Sequence, residues 1–173
     1  MNRKRSVFAL VAVLIFVAAI AARISWEKKP KLLISNGFAA SITLSNAKQV
    51  CLCMQMYASD YDDLIPYAPD TGTAQAVIYP YSKSRDIWKS LNPKGGQIEF
   101  NTSVAGVNSA KMPEAQLTPL VYDSEAWEGG GRPVGFCDGH GAPVTGAKWK
   151  ELTEKMKLQK FTHVGKPLKP QHL

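Results

Sequence analysis

The segment 44-LSNAKQVCLCMQMYASDYDD-63 decides the fold of this chain of 173 residues. Its apolar residues recur at steps of three and four, which is the spacing of one face of an α-helix. The members of this apolar stripe are Leu44, Ala47, Cys51, Met54, Ala58 and Tyr61. The pattern predicts a helix from about Phe38 to about Tyr61 that lays the stripe on a hydrophobic core.

Turn signals and short apolar runs follow this helix. Residues 64–73 are rich in Pro, Asp and Gly and predict an ordered loop. A short helix is expected at Ala74–Tyr79, and Trp88 is expected to dock on the core. Strands are predicted at Ile98–Asn101 and at Leu117–Asp123, where Pro119 indicates either a sheet edge or a bulge.

The clearest strand pattern lies near the C-terminus. Pro133–Cys137 and His140–Thr145 flank Asp138-Gly139, and Asp-Gly is a favoured two-residue turn between antiparallel strands. Thr145 is a suitable N-cap for a final helix at Ala147–Lys160. These elements predict an α+β domain, in which a long N-terminal helix packs on a small antiparallel sheet and a C-terminal helix follows.

The first residues carry a membrane signal. Val7–Ala22 has no charged residue and, as a helix, would be about 24 Å long. That length lies between a signal peptide and a spanning helix. Basic residues stand on both sides of the segment in similar number, so they do not decide its orientation. Its early position in the chain favours an N-inside, C-outside orientation. We expect three regions: a cap, anchor and juxtamembrane segment at 1–31, a globular domain at 32–160, and a basic tail at 161–173.

The net charge of +7 is concentrated at the two ends of the chain. Residues 1–31 hold seven basic residues and one acidic residue, and residues 148–173 hold seven and two. The central residues 32–147 hold seven basic and eleven acidic residues, so the domain body is mildly acidic. This distribution fits membrane-flanking charge and a solvated tail, and it argues against nucleic-acid binding.

Two groups of motifs together resemble a known family. The first is Ser45–Val50 with Met54–Asp63 and Pro66; the second is Val121–Ser124, a Gly-rich loop, Val134, Phe136 and Asp138-Gly139-His140. They are similar to segments of bacterial pseudopilins of type II secretion and type IV pilus-like systems, the prepilin-like proteins with a C-terminal Asp-Gly-His signature. The resemblance implies a pilin-like fold, an N-terminal helix that spans the membrane in its first part, and other pseudopilin subunits or secretion components as partners.

The chain departs from the family pattern at three places. Arg5–Leu10 lacks the Gly and Glu of the prepilin processing site. Glu128 stands where members often have His, and Leu91-Asn92-Pro93 replaces a Cys-Pro. These departures indicate a divergent member.

Three carboxylates stand at the predicted end of the long helix. Asp60, Asp62 and Asp63 oppose the helix dipole at this position. A calcium ion, bound together with loop carbonyls, would offset the mismatch. The alternative is that Asp60 or Asp62 caps the following turn and the remaining carboxylates are solvated.

Cysteines and polar residues provide further candidate sites. Cys51, Cys53, Cys137 and His140 are zinc ligands by residue type. Cys51 and Cys53 are two apart on a helix and point about 200° away from each other, which argues against their sharing one ion. A disulfide from Cys51 or Cys53 to Cys137 would suit an oxidising compartment, and a buried, unpaired Cys51 is the simpler interpretation.

Catalytic alternatives come from the closing hairpin and the loop before it. His140 could act as a general base, although the turn explains Asp138-Gly139 on backbone grounds alone. Asp123, Glu125 and Glu128 could form paired carboxylates, and a solvated loop explains them equally well. We predict no catalytic residue and no cofactor other than the calcium considered above.

The sequence therefore predicts a non-catalytic, membrane-anchored assembly protein of a type II secretion or type IV pilus-like system. It would be a single-pass bacterial membrane protein attached through Val7–Ala22, with its C-terminal domain in the periplasm or at the cell surface. The alternative is an exported domain that binds a ligand or calcium through the Asp60–Asp70 loop and is released by cleavage beside Ala19-Ile20-Ala21.

Overall fold

The computed structural model describes residues 36–158 and 160–164. Its helices are α1 (Asn36–Asp60), α2 (Thr71–Ser82) and α3 (Gly146–Leu158), and its strands are β1 (Ile98–Phe100), β2 (Pro119–Asp123), β3 (Arg132–Phe136) and β4 (Gly141–Val144). Short 3-10 helices lie at Asp86–Trp88, Thr102–Val104, Ser109–Lys111, Ala115–Leu117 and Glu128–Gly130. The predicted anchor Val7–Ala22, the boundary at residue 31 and most of the predicted tail lie outside the described residues.

Helix α1 confirms the long helix predicted from the apolar stripe. It begins two residues before Phe38 and ends at Asp60. Four of the six stripe residues are buried, namely Ala47, Cys51, Met54 and Ala58. Tyr61 is 53% exposed, so its assignment to the buried stripe was wrong. It follows the last turn of the helix and stacks on Tyr57 with the ring centroids 4.3 Å apart.

The loop after α1 is shorter than predicted, and the helix that follows the loop is longer than predicted. The Asp70 carboxylate accepts a hydrogen bond of 2.7 Å from the Thr73 amide and caps α2. The helix therefore starts at Thr71 and continues past Tyr79 to Ser82. Trp88 is buried in the core, as predicted.

The four strands form one antiparallel sheet in the order β1-β2-β3-β4, so each strand pairs with its neighbour in sequence. The α+β class with a small antiparallel sheet is confirmed. Strand β2 lies inside the sheet, which corrects the edge position considered for Pro119. The bulge alternative is confirmed, because the pairing of β2 with β3 shifts register between Pro119 and Val121.

The β3–β4 hairpin is confirmed, but its turn is longer than the two-residue Asp-Gly turn predicted. The Phe136 amide donates to the His140 carbonyl over 2.8 Å, and the Gly139 amide donates to the Phe136 carbonyl over 2.9 Å. Three residues, Cys137–Gly139, therefore make the loop. Gly139 has φ +91°, the conformation that the glycine of a three-residue hairpin loop adopts.

The sheet separates two hydrophobic clusters. The larger one contains the buried face of α1, α2 and Trp88, and includes Val121 and Cys137 from the sheet side. The smaller one joins Val134, Phe136 and Val144 to Leu152 of α3. Helix α3 is capped by Thr145, whose hydroxyl accepts from the Lys148 amide over 3.3 Å, as predicted. It ends at Leu158, two residues before the predicted end.

Helix α1 crosses strand β3 at Gly135 with almost no space between them. A Cβ atom at Gly135 would lie 3.2 Å from the Ala47 carbonyl oxygen and 3.0 Å from Val121 Cγ2, and it would overlap the Cys51 sulfur. The carbonyl belongs to the helix backbone and cannot move by rotating a side chain. A residue without a side chain is therefore required at this crossing.

We expect Gly135→Ala to destabilise the domain by about 2 to 3 kcal/mol, because the added methyl group forces α1 away from the sheet. Gly37→Ala is the matched control, since a Cβ at Gly37 meets no atom of the described residues within 4 Å. The control should change the free energy of unfolding by less than about 1 kcal/mol. Urea unfolding of both variants measures the difference, and equal stabilities would contradict a tight crossing at Gly135.

Candidate functional site

The outward face of α1 carries apolar side chains that the core does not explain. Ile42, Ser45, Gln49, Leu52 and Met56 follow each other at steps of three and four on the side opposite the sheet. Leu52 is 57% exposed and Met56 is 46% exposed, one helical turn apart. We call these five residues the outer stripe. Within α1 only Lys48 and Asp60 are charged, and neither belongs to the outer stripe.

The acidic corner at the end of α1 is held by hydrogen bonds to other elements. The Asp60 carboxylate accepts a hydrogen bond of 2.7 Å from the Tyr81 hydroxyl. This bond raises the pKa of Tyr81 to about 12. Asp60 therefore contacts α2, whereas one alternative had it capping the turn that follows α1.

Asp62 and Asp63 contribute their backbones to this corner. Both adopt the left-handed conformation, with φ of 53° and 60°. The Asp62 carbonyl accepts from the Asn108 side chain over 3.0 Å, and the Asp63 carbonyl accepts from the Ser109 amide and hydroxyl over 2.7 and 2.9 Å. The backbones of Asp62 and Asp63 are thus held to the segment at Asn108 and Ser109 by hydrogen bonds.

Asp123 lies at the centre of a buried hydrogen-bond network, which the sequence did not predict. Its carboxylate is fully buried, with 0% exposure, instead of lying in a solvated loop. It accepts from the Ser90 hydroxyl over 2.6 Å, from the Trp127 indole over 2.7 Å and from the Glu125 amide over 3.1 Å. Three donors from two separate segments satisfy a buried anion, and this arrangement stabilises it in an apolar environment.

Arg132 completes the network around Asp123. Its guanidinium donates to the backbone carbonyls of Asp123 and Ser124, and it lies 5.1 Å from the centre of the Trp149 ring. Arg132 thereby ties β3 to the end of β2 and to α3. Glu125 and Glu128 are exposed, so the structure does not bring the three carboxylates together as a pair or triad.

Side chains of the hairpin itself stabilise the Asp138-Gly139-His140 turn. The Asp138 carboxylate accepts from the His140 backbone amide over 3.1 Å and lies 2.6 Å from His140 Nδ1. The His140 ring stacks on Phe136 with the centroids 4.4 Å apart. These contacts account for Asp138 and His140 as turn residues at an exposed hairpin tip.

The three cysteines are buried free thiols. Removal from water raises the pKa of Cys51 to about 12, and it raises the pKa of Cys53 and Cys137 above the ordinary thiol value. Thiols with raised pKa values react slowly as nucleophiles and as metal ligands. Within residues 36–158 and 160–164, no group of three or more His, Cys, Asp or Glu side chains is placed to hold a metal ion.

An apolar groove of about 560 Å³ lies at the start of α1. Its walls are the first two turns of α1, the beginning of β3 and the end of β4, with Leu44, Pro133 and Pro143 among the lining residues. The buried Arg132 Nε has no hydrogen-bond partner among the residues that the structure describes, and Arg132 also lines this groove. The groove is the place where an exported binding domain would hold an apolar ligand.

The network around Asp123 predicts a large effect for Asp123→Ala. The variant leaves the Ser90 hydroxyl and the Trp127 indole without their acceptor, and we expect a loss of about 3 kcal/mol of stability or more. Glu125→Ala is the control, because this side chain is exposed and should change stability by less than about 0.5 kcal/mol. Chemical unfolding followed by tryptophan fluorescence measures both. A loss for Asp123→Ala no larger than that of the control would contradict a structural role for the carboxylate.

Thermal unfolding with and without calcium tests the acidic corner. Because no group of three or more metal-ligating side chains is placed to hold an ion within residues 36–158 and 160–164, we expect the melting temperature to stay unchanged. Calcium bound at a hundredfold excess over its Kd would add about 2.7 kcal/mol, which is a measurable shift. A shift that disappears in an Asp62→Asn, Asp63→Asn double variant and survives in the control Asp86→Asn would establish a calcium site and contradict the turn interpretation.

No protein-family model, no curated protein and no solved structure matches this chain. Among the helices of residues 36–158 and 160–164, none is long and apolar enough to cross a membrane.

Proposed function

We propose that this chain is a non-catalytic, membrane-anchored assembly protein of the pseudopilin type, acting in a type II secretion or type IV pilus-like system. Val7–Ala22 would anchor it as a single-pass protein, and the domain from residue 32 to 160 would lie outside the cytoplasm. The observation that carries the proposal is that the two sides of α1 differ. One side packs into the core of the domain, and the opposite side exposes the outer stripe.

The spacing of the outer stripe favours a helix as its partner. The alternation of three and four is the repeat by which two helices keep the same seam in contact over many turns. Leu52 and Met56 provide apolar side chains in adjacent turns of that seam. The smaller polar residues Ser45 and Gln49 allow a neighbouring helix to approach without an unpaired charge.

The interior of the domain supports a structural role. The crossing at Gly135 makes α1 rigid relative to the sheet, so the outer stripe is a fixed surface. The candidate catalytic groups Asp123, Asp138 and His140 are engaged in hydrogen bonds that hold the fold. The domain is thus suited to present one face of α1 to other subunits.

The alternative function is an exported domain that binds a ligand, and the apolar groove at the start of α1 is the observation that favours it. Two results together would support that alternative. The protein would be recovered in the soluble fraction, and an apolar probe would bind in this groove.

Photo-cross-linking in membranes tests the assembly proposal. A photoreactive residue at Gln49 lies within the outer stripe, and we expect it to join two copies of the full chain or one copy to another subunit. Leu52→Glu combined with Met56→Glu places two charges on the seam and should lower the yield about tenfold.

Leu158→Glu is the matched control, because Leu158 is an exposed leucine on α3 and lies outside the outer stripe. The control should cross-link as the parent chain does. Circular dichroism checks that all variants fold. A parent chain that never cross-links through Gln49, or a yield that the two glutamates leave unchanged, would contradict the use of the outer stripe in assembly.

A further inference from the structure

We propose that Cys51 and Cys137 form a disulfide bond that ties helix α1 to the β3–β4 hairpin when the chain folds in an oxidising compartment. The compartment follows from the proposed function, whereas the choice of the two cysteines follows from the geometry alone. By sequence, Cys51 and Cys53 are both candidate partners of Cys137, and the two differ in their placement in the fold.

Two glycines locate Cys137 along α1. A Cβ on Gly135 would overlap the Cys51 sulfur, and a Cβ on Gly139 would lie 2.8 Å from the Gln55 side-chain carbon Cδ. Cys137 lies midway between these two glycines. It therefore lies opposite the turn of α1 that runs from Cys51 to Gln55.

Burial places the Cys137 side chain on the α1 side of the sheet. Cys137 is the first residue of the hairpin loop, and it belongs to the same hydrophobic cluster as Cys51. Val134 and Phe136, by contrast, belong to the cluster under α3.

Cys53 is placed less favourably. Two residues along a helix correspond to a rotation of about 200°, so Cys53 points away from the side of α1 on which Cys51 meets β3. The electrostatic environment agrees: after desolvation, the Cys51 thiol is the next largest cause of the raised pKa of Cys137, and Cys53 makes no resolved contribution.

The tight crossing makes a bond of this length feasible. A disulfide joins Cα atoms about 4.4 to 6.8 Å apart, which is shorter than the usual spacing between packed elements. At Gly135 the helix backbone lies against the strand, with the Ala47 carbonyl only 3.2 Å from the Cβ position. Small residues at this crossing thus bring α1 close enough for two cysteine side chains to span the gap.

Oxidation has to precede complete burial. Both thiols are buried in the folded domain, and burial raises their pKa values. During folding, one thiolate attacks a disulfide of a donor, such as a disulfide oxidoreductase or oxidised glutathione, and forms a mixed disulfide. The second thiolate then attacks the protein sulfur of that mixed disulfide. The two cysteines lose two electrons and two protons in total, and the donor leaves as two thiols.

The bond would join distant parts of the chain. Cys51 lies in the first helix of the domain and Cys137 in the closing hairpin, so the loop contains most of the core. A long loop loses much conformational freedom in the unfolded state, and we expect the melting temperature to rise by about 5 °C or more on oxidation.

Refolding the full chain in detergent with oxidised and reduced glutathione tests the proposal. Free thiols are then alkylated in denaturant and counted by mass spectrometry. We expect one alkylated cysteine in the parent chain, identified as Cys53 by peptide fragmentation, and none in Cys53→Ala. Cys51→Ala and Cys137→Ala should each show two alkylated cysteines and no rise in melting temperature on oxidation.

Three alkylated cysteines in the parent chain, or a bond that includes Cys53, would overturn the proposal. If Cys51→Ala or Cys137→Ala does not fold, the comparison of the parent chain with Cys53→Ala still shows whether Cys51 and Cys137 are bonded. The experiment takes place in vitro, so its outcome is independent of membrane anchoring and of assembly. If Cys51 and Cys137 do not pair, the proposed function is unaffected. If the domain lies in the cytoplasm, the argument for the placement of the two cysteines is unaffected.

Discussion

The crossing of α1 over β3 at Gly135 is the contact on which the rest of the domain depends. The absence of a side chain lets the helix backbone lie against the sheet, with the Ala47 carbonyl at 3.2 Å from the Cβ position. The small residues Ala47 and Cys51 occupy the helix side of the crossing and are fully buried. Close packing of this kind converts many weak contacts into a fixed geometry. Helix α2 and the closing hairpin are both placed by their contacts with α1.

A rigid helix with its inner side in the core has a defined outer side. The outer stripe lacks charge, contains two large exposed apolar side chains and follows the repeat of helix pairs. The buried Asp123 network lies at the end of β2, where Arg132 and Trp127 hold the loop between β2 and β3. These features are the basis of our proposal that the domain presents a surface to other subunits.

Local patterns were sufficient to predict the long helix, the closing hairpin, the Thr145 cap and the α+β class, because each depends on neighbouring residues. The burial of Asp123 could not be predicted from such patterns, because its partner Ser90 is 33 residues away in sequence and meets it only in the folded domain. Pro119 was ambiguous for a similar reason: a bulge can place a proline inside a sheet. Tyr61 fitted the apolar spacing, but the helix ends one residue earlier. The choice of Cys51 over Cys53 as the proposed partner of Cys137 required the packing of α1 against the β3–β4 hairpin, which no sequence pattern contains.

The most direct test of membrane-anchored assembly is the intact mass and N-terminal sequence of the chain recovered from a bacterial membrane fraction. The account predicts a full-length chain, or one that lacks only Met1, retained in the membrane with its domain accessible to protease from outside the cytoplasm. A soluble chain that begins near Ala22 would contradict it and would point to an exported domain released by signal-peptide cleavage.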